Sequence, residues 1–418
     1  MNQIPVRRFT LPNGLRIVHS QDTSTAMVAV DVLYNVGSRD EKRSLTGMAH
    51  LFEHLMFGGS VNVPDFDNVV EAAGGKNNAW TSTDFTNFYI SLPAQNAETA
   101  FYLESDRMLS LAFAPTSLEV QRGVVIEEFK QTCLDQPYGD TSHHLRRLAY
   151  APEHPYSWPT IGLEPEHIAK VTMNDVKSWF YSHYAPSNAI LSVTGNISFE
   201  RTVELARKWF GNIPARKIED RNLPAPGFPE SDIIETVHGD VPDTIMYIAV
   251  PMAGHGEPGY AAADAVTDLL AAGKSARYTR NLIFGEQRGL LTAADASIIG
   301  SEHPGLLLLS ARLANDNEND IAAARELLLS EARKLTDPAA FAGREFEKML
   351  NNFEASFRFS NLGYLARASN LAMAEYHGTD INATVDERRK LTPDEVADYA
   401  DRLFNRTPSV TLIYRPAK

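Results

Sequence analysis

Residues 47–59 read GMAHLFEHLMFGG and set His50, Glu53 and His54 in the order H-x-x-E-H. On a helix, positions i and i+4 share a face, so His50 and His54 can aim two imidazoles at one ion. Imidazole nitrogen is a ready ligand for Zn2+, and a catalytic zinc takes three protein ligands and keeps a position for water. Glu53 sits beside such an ion rather than on it, where it could take the proton of a metal-bound water. The plainer reading is a pair of half-buried histidines on an amphipathic helix. Candidates for a third ligand lie in EVQRGVVIEEFKQ, a helical stretch with Glu119, Glu127 and Glu128. Val120, Val124, Val125 and Ile126 predict one buried face there, and a carboxylate turned into such a face needs a partner. Glu127 and Glu128 cannot face the same way. Spacing does not choose between them, and solvated carboxylates remain the alternative.

The elements that must position these groups are legible in outline. RRFTLPNGLRIVHS predicts a hairpin around Pro12-Asn13-Gly14. MVAVDVLYNVGS reads as a mostly apolar strand, about Ser44 to Phe57 as helix, and TSTDFTNFYISLP as an alternating strand. Helical periodicity covers NAETAFYLESDRMLSLAF and SLEVQRGVVIEEFKQTCL, and the half closes with the helix MNDVKSWFYSHY, the strand NAILSVTGN and the helix SFERTVELARKWFGNI. Residues 213–232 are rich in proline and charge and read as an extended linker. Beyond it come the strand DTIMYIAVPM, helices, a strand near GLLLLSARLA and the closing strand SVTLIYRP. VTMNDVKSWFYSHYAPSNAILSV, from Val171, is echoed by LTPDEVADYADRLFNRTPSVTLI, from Leu391, each opening with a capping-box pattern. Two related α/β domains explain the echo. We place them at 1–213 and 233–418, with 214–232 as linker.

The bulk numbers bound the function. The chain has 418 residues, too many for one ordinary core. Its net charge of −14 disfavours nucleic acid and anionic membrane as partners. Cys133 is the single cysteine, which excludes an intrachain disulfide and a cysteine zinc site. No 18-residue apolar run predicts a membrane span, and MNQIPVRRFTLPNGLRI has no apolar signal core. These features point to the cytoplasm, with the periplasm as the alternative if a signal peptide has been removed. LLAAGKSARYTRN contains Gly-Lys-Ser but lacks the earlier glycine of a phosphate-binding loop.

H-x-x-E-H is the motif of the inverzincins, and four segments in order resemble the pitrilysin and insulysin metallopeptidase family, in particular its short-chain, processing-peptidase-like branch. They are LPNGLRIV, NVGSRDE…TGMAHLFEHLMFGGS, GGKNNAWTSTDFTNFYISLP and RGVVIEEFKQ. The resemblance spans essentially the whole chain. It implies an α+β fold of two related domains, each a mainly antiparallel sheet packed with helices. It implies one Zn2+ per chain on His50, His54 and Glu128, with Glu53 as general base. Family members usually carry a further glutamate seven residues before the distal ligand; here that position is Gln121. The stretch NNAWTS resembles the family's substrate-binding edge strand, which implies that Asn78 and Ala79 position a peptide substrate, with Trp80 and Phe57 lining an apolar subsite. Plain core packing is the alternative for those two aromatics. Active members also carry an Arg and, seven residues later, a Tyr that bind substrate; in the matching stretch GEQRGLLT those positions are Gly285 and Thr292. The resemblance therefore implies the zinc-bearing subunit of a heterodimer whose homologous partner supplies the Arg/Tyr pair. The competing reading is a non-catalytic, zinc-stabilised structural or assembly subunit.

Overall fold

The computed structural model describes residues 3–286, 288–300 and 302–417. Among them the strands form two sheets. The first contains β1 (Arg7–Thr10), β2 (Arg16–Gln21), β3 (Met27–Tyr34), β4 (Lys76–Thr81), β5 (Thr86–Pro93) and β6 (Ala189–Gly195), in the order β1-β2-β6-β3-β5-β4. The second contains β7 (Ile233–Gly239), β8 (Ile245–Met252), β9 (Leu291–Ile299), β10 (Gly305–Leu313) and β11 (Val410–Pro416), in the order β7-β11-β8-β10-β9. All pairings are antiparallel except β2 with β6 and β7 with β11. Apart from β1, the orders superpose strand for strand, parallel pair included, so the internal echo is a repeat of topology. Both capping boxes form: Thr172 Oγ1 accepts from Asp175 N–H at 3.3 Å, and Thr392 Oγ1 from Glu395 N–H at 3.3 Å.

The chain divides into two compact units that are discontinuous in sequence. One holds residues 1–129, 159–222 and 356–384, and the other holds 130–158, 223–355 and 385–418. In the first unit, Val28, Val30, Val32 and Tyr34 of β3 join the core formed with the helices Met48–Leu55, Ala97–Leu109, Met173–His183 and Phe199–Phe210. The alternate residue Leu33 packs on the other face, with Leu371 and Ala372 of the helix Tyr364–His377. A strand covered on both faces reads as a near-continuous apolar run rather than an alternation, as β3 does. In the second unit, one face of the sheet packs against the helices Tyr260–Ala271, Glu318–Arg333 and Pro393–Asp401, and the other takes Leu145 and Ala149 of the helix Thr141–Ala149.

Several sequence expectations are corrected. The helix expected from Ser44 begins at Met48, because Gly47 stands at φ 84°, outside the helical region. TSTDFTNFYISLP is not one strand: β4 ends at Thr81, a turn follows, and β5 begins at Thr86. The strands β7 and β9 were not expected. The first is half-exposed along its length, and the second, LTAADASII, is built from residues with weak strand preference. The linker carries no helix or strand from 214 to 229. It is pinned by Arg216, which donates to the carbonyl of Tyr184 at 2.8 Å, and by Arg221, which grips Asp40 at 2.6 Å.

Asp31 is fully buried on β3, where its Oδ2 accepts from Asn87 Nδ2 at 3.0 Å and Ser369 Oγ at 2.7 Å. Burial pushes its carboxyl from 3.8 up to about 7, against the pull of those two donors. The sign is fixed by linkage: the native state keeps a proton that the unfolded chain releases near 3.8, so the stability from Asp31 is full below that and falls as pH rises to about 7. Asp31→Asn will therefore lose this pH dependence. Urea unfolding at about pH 5 and about pH 8 should show a smaller drop in the variant than in wild type; equal drops would exclude a buried neutral Asp31.

Candidate metal centre

The helix Met48–Leu55 buries Met48, Ala49, Leu51, Phe52 and Leu55. Phe52 is locked by ring contacts with Tyr184 at 4.5 Å and Phe180 at 6.2 Å. The remaining positions, His50, Glu53 and His54, share the opposite side. The first backbone N–H groups of a helix lack internal partners, and here Glu41, itself buried, supplies them: Oε2 accepts from Gly47 N at 3.0 Å and Oε1 from Ala49 N at 2.8 Å.

Glu128 comes from the helix Pro115–Phe129, whose core face is Leu118, Val125 and Phe129. The expectation of a face made by Val120, Val124, Val125 and Ile126 is corrected: Val120 is 60% and Val124 45% exposed, and only Val125 of the four is fully buried. Arg122 anchors this helix, donating to the carbonyls of Ala169 at 2.9 Å and Val171 at 3.1 Å.

Three atoms converge between the two helices. His50 Nε2 and His54 Nε2 are 3.3 Å apart, and Glu128 Oε2 lies 3.6 Å from the first and 3.4 Å from the second. Two donors held about 2.0–2.2 Å from one ion at the tetrahedral angle are separated by about 3.3–3.6 Å. All three separations fall in that range, so the donor set and its spacing fit a zinc ion with a fourth position open. The other ring nitrogen of His50, Nδ1, is buried without a hydrogen-bond partner, which leaves Nε2 as the atom turned to the cluster. Burial lowers the pKa of His50, with Glu128 pulling the other way and His54 adding to the fall. That favours the neutral imidazole a metal requires. Glu127 is exposed and is not among the converging groups.

Glu53 is held from the sheet: Thr81 Oγ1 donates to its Oε2 at 2.5 Å. Burial raises the Glu53 pKa, the Thr81 bond and His54 oppose this, and the charge of Glu128 adds to it. Thr81 was not singled out from the sequence, although it lies two residues after Ala79 in NNAWTS and so on the same face of the strand. Glu41 and Arg122 carried no sequence signal; their roles exist only once the fold assembles.

The structure separates the other expected residues. β4 is an edge strand, its partly buried positions being Asn77, Ala79 and Thr81. Asn78 and Trp80 lie on the alternate, exposed side, and Asn78 Oδ1 accepts from the N–H of Ala79 at 2.9 Å. Phe57 is on the inner side, in ring contact with Phe66 at 5.6 Å and Phe88 at 5.9 Å, and Arg107 lies 5.3 Å from its ring. Trp80, 37% exposed, points to the other side. Gln121 lies two turns before Glu128, about 10 Å along the helix.

With the geometry in view, comparison with known proteins places the chain. The model described as insulinase, peptidase family M16, matches residues 16–150, and the one described as the peptidase M16 inactive domain matches 170–353. The zinc protease PqqE of Helicobacter pylori is 29% identical over 422 residues, 97% of this chain and 92% of that protein. The mitochondrial-processing peptidase subunit beta of Caenorhabditis elegans is 27% identical over 248 residues, 59% of this chain and 52% of that one. The crystal structure of a protease from Helicobacter pylori superposes with a TM-score of 0.87 at 27% identity, covering 99% of this chain and 100% of that chain. The chain belongs to the insulinase-type peptidase family M16, in keeping with its short-chain branch. No helix among the described residues is long and apolar enough to cross a membrane.

The ligand set makes a direct prediction. After exhaustive dialysis, elemental analysis should find stoichiometric zinc in wild type and in Glu127→Gln, and clearly less in His54→Ala and Glu128→Gln. Equal zinc in the two glutamine variants would remove Glu128 from the set.

Proposed function

We propose that the chain is a zinc-dependent endopeptidase subunit that cleaves extended peptides or unfolded segments. The observation that carries the reading is the tetrahedral spacing of His50, His54 and Glu128 with Glu53 held alongside. One zinc per chain would supply Lewis-acid polarisation of the scissile carbonyl and acidify a water. Glu53 would take that water's proton and return it to the leaving amine. Its burial favours this, since a raised pKa brings a carboxylate nearer the working pH. The free edge of β4 would bind substrate by main-chain pairing, which gives affinity without reading sequence. To pair there, a peptide must displace the Asn78 side chain from the Ala79 N–H.

The second unit bears on the partner. A Cβ on Gly285 would meet the carbonyl oxygen of Asn281 at 2.3 Å, so an arginine cannot stand there without a backbone shift. Thr292 is exposed at the start of β9 and too short to replace a tyrosine. We propose that a homologous partner subunit provides these donors in a heterodimer. In this proposal the compartment is the cytoplasm, there is no nucleic-acid partner, and a leaning towards basic peptides follows from the net charge of −14. Gly285 and Thr292 equally favour the second reading, a zinc-stabilised subunit without catalysis.

A quenched unstructured peptide should be cleaved by the chain with its partner and not by Glu53→Gln with the same partner. Turnover by the isolated chain at about 1 to 1,000 per second would eliminate the need for a partner. Full zinc with no turnover in any pairing would select the structural reading. Across peptides differing only in Lys and Arg content, kcat/KM should rise with positive charge; a flat series would remove the electrostatic preference.

A further inference from the structure

We infer that Thr81 is a positioning residue that couples the docking of a peptide on β4 to the orientation of Glu53; this rests on the peptidase reading above. Thr81 is the last residue of β4, and its side chain and its main chain face different partners. Its hydroxyl donates to Glu53 Oε2 at 2.5 Å. A hydroxyl has one hydrogen to give, so the bond fixes one carboxylate oxygen and leaves Oε1 to meet a reacting water. The charge of Glu128 acts against ionised Glu53, and the Thr81 bond holds the carboxylate in place against that repulsion.

The main chain of Thr81 faces the other way. In an antiparallel ladder, successive N–H groups point alternately to the partner strand and away from it. Ser82 N donates to Phe85 O across the hairpin at 2.8 Å, and Ala79 N donates away from the ladder to Asn78 Oδ1 at 2.9 Å. Both bonds give the same phase: the N–H groups of Asn77, Ala79 and Thr81 lie on the free edge. A peptide added to that edge bonds the backbone of Thr81 while the side chain of the same residue holds Glu53. Substrate pairing thereby steadies the strand end that sets the carboxylate.

The test uses the full chain, with its partner if the pairing proves necessary, and compares Thr81→Val, Thr81→Ala and Thr81→Ser. Thr81→Val keeps the shape and loses the donor, and Thr81→Ser keeps the donor. Zinc content by elemental analysis and peptide affinity by fluorescence anisotropy, measured in the Glu53→Gln background to prevent cleavage, should stay within about threefold of the parent in all three. By contrast kcat should fall about 10- to 100-fold in Thr81→Val and Thr81→Ala, the scale of one hydrogen bond to a charged group, and be retained within about threefold in Thr81→Ser. A loss in kcat with KM and zinc unchanged, rescued by serine, is a pattern that general loosening of the strand would not give. If Thr81→Val does not fold, Thr81→Ala against Thr81→Ser decides. In a pairing without turnover, crystal structures decide: the Glu53 carboxylate should keep its place in Thr81→Ser and leave it in Thr81→Val. Normal kcat in Thr81→Val and Thr81→Ala, or an unmoved carboxylate, overturns the inference and leaves the peptidase reading standing. Full activity in Glu53→Gln would instead overturn that reading.

Discussion

The first unit is organised around one constraint: two imidazole nitrogens and a carboxylate oxygen stand within 3.6 Å of one another, although Glu128 lies 74 residues after His54 in sequence. Such a cluster costs solvation and side-chain entropy. It is stable only if its supports are rigid before the metal arrives. The supports are visible. Gly47 turns the chain through a left-handed conformation, Glu41 satisfies the N–H groups the helix start leaves open, and Phe52 is locked between two rings on the far side. The opposing helix is buried along Leu118, Val125 and Phe129 and tied by Arg122 to two carbonyls.

The sheet contributes in two ways: it holds Glu53 through Thr81, and it leaves a strand edge free. β4 does both because its residues alternate. One side of the strand faces the metal helix through Thr81, and the edge faces outward. Beneath it, Arg107 is fully buried, paired with Glu104 at 2.5 and 2.9 Å and surrounded by the rings of Phe57, Phe66 and Phe88. A buried ion pair of this kind fixes a unique arrangement more readily than it adds stability.

The second unit repeats the strand order of the first apart from β1. The matched strands carry the same parallel pair, β2 with β6 and β7 with β11, and a Cβ on Gly285 in the second unit would meet the carbonyl oxygen of Asn281 at 2.3 Å. Function resides in sites placed on folds, and His50, His54 and Glu128 all belong to the first of the two repeated units.

The H-x-x-E-H spacing, the helices that carry it and Glu128, and the hairpin at Pro12-Asn13-Gly14 were legible in the sequence, because each depends on neighbours within a few turns of chain; the repeat was legible as an echo at an offset of 220 residues. The choice of Glu128 over Glu127 came from family resemblance and not from periodicity, since Val120 and Val124 proved exposed. Residue types alone could not reveal β7, which pairs with β11 far away in sequence, nor β9, whose residues have weak strand preference although β10 follows it directly, nor that 356–384 belongs with the first sheet. The same limit hid Thr81, Glu41 and Arg122. Local patterns fix which side chains can do chemistry. Only tertiary packing decides which of them meet, because donors far apart in the chain are brought within a bond's reach by the burial of residues that take no part in the reaction.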